Sequence, residues 1–271
     1  MSVKNFIPTV WSARLLANLD KSFVYPSAVN RDYEGEIAQY GDTVKINQMG
    51  AVTVSDYTGI LTDAEELTSS QILMTIDQRK SFNFKVDDVD KAQANVTLID
   101  KGMERAGVAV ADVIDQFIAT FTSQATIKVG NATTPIAIVV GNAYDTLVDL
   151  GVALNKKNVS KLGRFAIVPP EFIGLLQKDP RFTLNSDVLK TGISGVVASF
   201  ELRESNNVPV ATGKYSILAG TTEAISYAGQ VTEVEAYRPE HSFSDAIKGL
   251  YVYGAKVVQP EAIVCLTATI A

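Results

Sequence analysis

The sequence predicts an α+β fold with an elongated subunit. Three observations predict it: strand-like alternation across residues 41–86, one helical stripe running from Val89 to Phe121, and a nearly all-strand stretch from 225 to 270. At 271 residues, 46% apolar and 20% charged, the chain is long enough to bury a substantial core, which excludes intrinsic disorder. The pattern changes divide it into 1–40, 41–86, 87–140, 141–224 and 225–271.

In the first segment Pro8 suits the first turn of a helix, and Trp11, Leu15, Leu19 and Phe23 follow at intervals of four. This amphipathic stripe has two readings of equal weight: a helix packed on its own core, or an arm laid on a neighbouring chain. Binding to a membrane surface asks for a strongly basic polar face, and Lys4, Arg14 and Lys21 are too sparse for that.

From Gly41 to Val86 the apolar residues alternate: Val44 and Ile46, Val52 and Val54, Ile72, Met74 and Ile76, then Phe82, Phe84 and Val86. The intervening polar stretches, Ser55–Gly59 and Thr62–Ser70, predict a long two-stranded hairpin with a polar tip. Two strands alone are marginal in water, so something outside the hairpin must cover its apolar face.

Val89, Ala92, Val96, Ile99, Met103, Ala106, Val110, Val113, Phe117 and Phe121 recur every three or four residues. They predict one helix of roughly 35 residues, about 50 Å long, which exceeds the diameter of a compact domain. Gly102 and Gly107 would permit a bend in it.

Beyond it, Ile136–Val140 reads as a strand, Tyr144–Leu154 as an amphipathic helix ending at Lys156-Lys157, Arg164–Val168 as a buried strand stopped by Pro169-Pro170, and Glu171–Lys178 as a second helix. Strand and helix thus alternate through 141–224. Ala224–Tyr227, Val231–Tyr237, Gly249–Val258 and Ile263–Ile270 are strands that need a helix to cover them, and the long helix is the natural candidate.

Chemistry is narrowed by what is scarce. With a single histidine, His-rich zinc sites are impossible and any catalytic triad would have to use His241, which sits in a polar turn. The lone Cys265 lies in an apolar strand, where a thiol behaves as a small hydrophobe. Glu65-Glu66 and Asp87, Asp88 and Asp90 bring carboxylates together, but the second group precedes the long helix, where acids cap free N–H groups. Gly192-Ile193-Ser194-Gly195 lacks the Lys-Ser/Thr of a phosphate loop. No cofactor and no metal is expected.

The 24 Lys+Arg against 30 Asp+Glu argue against a dedicated nucleic-acid binder. The longest aliphatic run, Ile136–Val140, is far short of the ~20 residues that span a bilayer, so no membrane is expected. Met1–Asn5 lacks the apolar stretch of a secretory signal, which predicts synthesis in the cytosol.

Four stretches carry a resemblance over nearly the whole chain: Ile7-Pro8-Thr9-Val10-Trp11-Ser12-Ala13 with Val29–Glu36; Gly41-Asp42-Thr43-Val44; Glu201-Leu202-Arg203-Glu204-Ser205-Asn206-Asn207-Val208-Pro209; and Asp245 through Pro260. In this order the chain resembles the major capsid proteins of tailed bacteriophages, with the Hong Kong 97-type capsid fold. The resemblance implies an N-terminal arm (1–40), an extended loop (41–86), a spine helix with the first part of a peripheral domain (87–140), an axial domain (141–224) and peripheral C-terminal strands (225–271). It further implies a homo-oligomer of pentamers and hexamers forming an icosahedral virion shell around double-stranded DNA, with scaffold, portal or decoration proteins as possible partners. Subunit-interface residues expected on this basis are Trp11, Leu15, Leu19, Phe23, Tyr57 and Leu61.

The expected mechanism is physical: strands and helix stripes that one chain cannot hide are buried between chains, in obligate interfaces of roughly 2,000–5,000 Å². The acidic balance suits an inner wall that holds DNA without gripping it. Two alternatives stand beside this reading: an encapsulin-type shell enclosing a cargo enzyme, and a soluble hydrolase using Asp87, Asp88 or Glu65.

Overall fold

The computed structural model describes residues 15–16, 18–19, 22–36, 39–49, 69–87, 98–183, 196–240 and 244–270. Strands β1 (Thr43–Met49), β2 (Ser69–Thr75) and β3 (Gln78–Asp87) precede helix α1 (Leu98–Ala119), which runs on as a 3-10 turn over Thr120–Gln124. Short strands β4 (Ile127–Val129) and β5 (Ile136–Ile138) lead into α2 (Ala143–Asn155), β6 (Arg164–Val168), α3 (Pro170–Lys178) and the single turn α4 (Pro180–Thr183). The remaining strands are β7 (Val196–Val197), β8 (Phe200–Glu204), β9 (Val210–Ala211), β10 (Lys214–Thr221), β11 (Ile225–Tyr237), β12 (Ser244–Val257) and β13 (Ile263–Ile270).

The three-stranded antiparallel sheet β11-β12-β3 is a partition with two occupied faces. Because successive side chains point to opposite sides of a strand, Tyr251 and Tyr253 enter the main core while Val252 between them joins a second cluster. The first face carries α1. Its stripe Met103, Ala106, Val110, Ile114 and Ile118 is buried, and Phe117 meets Tyr253 edge-on at 5.4 Å between ring centroids. The long helix therefore covers β11 and β12, as their composition required, but not Ile263–Ile270, which lies in the other sheet and packs on α2. Gly102 and Gly107 serve close packing: a Cβ at Gly102 would stand 2.6 Å from the Phe84 ring, and one at Gly107 3.2 Å from Asn18 Cβ. Residues 88–97, where the expected helix begins, lie outside the described residues.

The opposite face carries the root of the hairpin. β1 and β2 pair antiparallel from Thr43↔Thr75 to Met49↔Ser69, and Val44, Ile46, Met74 and Ile76 pack on Ala228, Val252 and Val258. Burying each such side chain contributes on the order of 1.5–3 kcal/mol, which supplies the cover that two strands lack by themselves.

Two expectations are corrected here. Phe82, Phe84 and Val86 do not continue the hairpin: β3 leaves it after Ile76 and Asp77 and pairs with β12 over its whole length, from Ser244↔Asp87 to Tyr253↔Gln78. A strand whose apolar side must face α1 cannot also lie on the hairpin, which sits on the other side of the sheet. And the apolar surface expected to be buried between chains does not include the α1 stripe or the hairpin root, which among the described residues are hidden by the chain's own sheet.

The larger sheet runs β4-β13-β10-β6-β8-β7, with β5 added on β13 and β9 on β10. β13 pairs with β10 antiparallel and with β4 and β5 parallel, so the last strand of the chain belongs with the strand-helix alternation of 141–224. β6 is buried along its full length, as its apolar run predicts. Pro169 ends it in an extended conformation and Pro170 opens α3 at the position where a missing N–H costs nothing.

Candidate functional site

Among the described residues no group of three His, Cys, Asp or Glu side chains is gathered to hold a metal ion. Cys265 is buried in β13, and desolvation pushes its thiol above the ordinary range, so it is poorly suited to nucleophilic work. His241, Glu65, Glu66, Asp88, Asp90 and Gly192–Gly195 lie outside the described residues, and the backbone of Asp87 ends β3 opposite Ser244. Among the described residues, no helix is long and apolar enough to cross a membrane.

The expected interface residues part into two groups. Trp11, Tyr57 and Leu61 lie outside the described residues. Leu15, Leu19 and Phe23 are buried in this chain's own core, with Phe23 edge-on to Tyr227 at 6.2 Å and under the Arg31 guanidinium at 5.6 Å. The described part of the stripe thus follows the first of its two readings; among the described residues of this segment, Leu16 is left outward, 43% exposed.

The segment after it is sewn to the body. Asn30 forms a parallel bridge to Ser226: its N–H donates to the Ile225 carbonyl at 3.0 Å and its own carbonyl accepts from the Tyr227 N–H at 2.8 Å. Arg203, in the Glu201–Pro209 stretch, donates to the Ser27 hydroxyl and pairs with Glu201 at 3.0 Å. Asn207 donates to Asp112 on α1 at 2.7 Å. That stretch therefore joins the larger sheet to both the N-terminal segment and α1. Its polar composition was visible in the sequence, but nothing in it named these distant partners.

The surface left for other molecules is mixed. Val148 and Val152 stand one turn apart on the outer side of α2, and Leu162 is 85% exposed at the tip of the α2–β6 loop. Beside that loop lies a cavity of about 620 Å³ bounded by Lys157, Ser160, Thr222, Gln259 and Glu261. A second, of about 520 Å³, shares Thr222, Glu223, Val258 and Gln259 with it and ends at Ile46 and Asn47 on the hairpin. The two line one side of the molecule from the α2–β6 loop to the hairpin root. Their linings mix Lys157, Ser160, Glu223 and Glu261 with the apolar Val159, Leu162 and Val258, so they offer mixed polar and apolar contact area.

A sequence model of the phage capsid protein family matches residues 70–266. The chain belongs to the phage capsid protein family. As a capsid protein it is a structural component of a virion shell, and its fold is that of the solved phage capsids. A structure from Mycobacterium phage Che8 is 29% identical, covers 90% of each chain and superposes with a TM-score of 0.72. The capsid of cyanophage P-SCSP1u is 16% identical over 92% of this chain and 89% of that one, with a TM-score of 0.69. A virus-like particle from Pyrococcus furiosus is 15% identical over 96% and 99%, with a TM-score of 0.60, which shows a shared fold. No curated protein sequence matches the chain.

Proposed function

We propose that this capsid protein is the major shell subunit of a tailed-phage head, assembling as pentamers and hexamers into an icosahedral container for double-stranded DNA, with no catalytic role. The observation that carries the reading is the family match over 70–266 joined to the likeness over 90% of both chains with the Mycobacterium phage Che8 structure. In this reading residues 1–40 are the arm, the β1–β2 hairpin is the extended loop, α1 is the spine, 141–224 together with β13 is the axial part, and β11 and β12 with β3 are peripheral. Trp11, Tyr57 and Leu61 remain the proposed contacts with neighbouring subunits. Scaffold, portal and decoration proteins are the partners such a head would take.

Negative-stain electron microscopy of the purified full chain tests this. Closed shells or rings of five and six subunits are expected; a monodisperse monomer at tens of micromolar across low and high salt would overturn it. The virus-like particle from Pyrococcus furiosus lends support to the encapsulin reading, but its superposition is looser than that of the phage Che8 structure. Shells that copurify with one cargo protein and no DNA would favour it. The net charge of −6 supports an inner wall that does not grip the genome. Tight duplex binding by assembled shells that disappears between low and moderate salt would contradict that charge placement.

A further inference from the structure

We propose that Asp115 makes the seat of the N-terminal segment on α1 sensitive to pH, so that acidification tightens the seat and return to neutrality loosens it. Asp115 lies on α1 with 3% of its surface exposed, directly beneath the point where the chain leaves its first helix. Its Oδ1 accepts the Tyr25 N–H at 3.1 Å and the Val24 N–H at 3.4 Å, and its Oδ2 accepts the Val24 N–H at 3.3 Å. These are the bonds by which α1 holds residues 24 and 25, immediately after the buried Leu15, Leu19 and Phe23.

The geometry is poor for a charge. Ordinary N–H···O bonds run about 2.7–3.2 Å; at 3.1–3.4 Å from two neutral backbone donors these lie at or beyond the long end, and they repay little of the hydration the buried group gives up. The charged groups around it do not help. Asp112, one turn earlier on α1, is of like sign. From the N-terminal segment, Arg31 is engaged with Glu34 at 2.8 Å and lies over Phe23, while Arg203 from β8 is engaged with Glu201 and Ser27. The Tyr25 phenol is itself buried and held neutral by desolvation, with Asp115 adding to the effect. Burial accordingly pushes the Asp115 carboxyl up to about 7; the two N–H groups oppose the rise and Asp112 adds to it.

The sign follows. An unfolded aspartate titrates near 3.9, so between about 4 and 7 the seated form binds a proton that the released form does not. The contribution to seating is complete below about pH 4 and is lost as pH rises to about 7.

Hydrogen exchange of the full-length purified protein, corrected for intrinsic rates, tests the device. Between pH 5 and pH 8 the opening of residues 15–25 is expected to increase by roughly ten- to a hundredfold in the wild type. In Asp115→Asn, which keeps an acceptor oxygen without a charge, that increase is expected to vanish, and Asp112→Asn is expected to move the midpoint to lower pH. Opening that falls with rising pH, or an Asp115→Asn variant with the full wild-type dependence, would overturn the proposal. So would a carboxyl-carbon titration by NMR placing Asp115 below about 5, a measurement that needs no variant.

Discussion

Gly254 of β12 lies against the Thr75 carbonyl at the root of the hairpin: a Cβ built there would stand 2.4 Å from that oxygen and 3.0 Å from Ile76 Cα. The hairpin can sit flat on the sheet because this strand position has no side chain. Gly254→Ala is therefore expected to destabilise the chain by about 1–3 kcal/mol and to expose β1 and β2 first. Chemical denaturation gives the magnitude, and hydrogen exchange of residues 43–49 and 69–76 shows whether the loss is local. Gly174→Ala serves as the contrast. Nothing lies within 4 Å of a Cβ at this position in α3, and removing a mid-helix glycine is expected to stabilise by about 0.5–1 kcal/mol.

Phe82 covers Gly249 across the β3–β12 ladder, where the two are directly paired. An added methyl at Gly249 would meet the ring at 2.3 Å. Gly249→Ala and Phe82→Leu are each expected to cost about 1–3 kcal/mol, but the double variant is expected to cost less than their sum, because the smaller side chain makes room for the methyl. A thermodynamic cycle with additive losses would show that the ring does not depend on the missing side chain.

The β7–β8 turn places Ala198 and Ser199 at φ of 50° and 75°. This is the left-handed region in which a two-residue hairpin favours Asn-Gly. Replacing the pair with Ala198→Asn and Ser199→Gly is expected to raise stability by about 1 kcal/mol. An unchanged or lowered melting temperature would count against the strain.

Arg164 is buried at the start of β6 and donates to the Val159 carbonyl at 2.7 Å, the Ser160 carbonyl at 2.7 Å and Asn155 Oδ1 at 2.8 Å. Burial lowers its tendency to hold its proton, yet its three acceptors keep the α2–β6 loop folded around it. Arg164→Met leaves those acceptors unpaired and is expected to cost about 2–4 kcal/mol. Arg164→Lys is expected to rescue little, since an ammonium cannot reproduce the planar fork. Equal stability of the lysine variant and the wild type would refute this account.

The elements were largely legible in the sequence. Apolar alternation located β1 and β2, a continuous apolar run stopped by Pro169-Pro170 located β6, strand-rich composition located the C-terminal strands, and the three-four spacing from Met103 to Phe121 located α1. What misled was pairing. Phe82, Phe84 and Val86 alternate as hairpin residues would, and only the Gly249 opposite Phe82 and the Gly102 beneath Phe84 explain why they turn to β12 and α1 instead. A glycine inside a strand or helix pattern is a sign of close approach, but the sign does not say by what. Leu15, Leu19 and Phe23 form a stripe that fits α1 of the same chain as well as any neighbour's surface, and spacing carries no information about which one receives it.

Local pattern by itself determined where strands and helices form, that the chain has a core, and the order of parts that marks a phage capsid protein, because each depends on residues close in sequence. Tertiary structure alone decided which face of the central sheet takes the helix and which takes the hairpin, and that Leu15, Leu19 and Phe23 are buried at home. Those outcomes rest on contacts between residues far apart in the chain, such as Gly254 with Thr75, Gly107 with Asn18 and Asp115 with Tyr25. Their energies exist only once the distant surfaces have met.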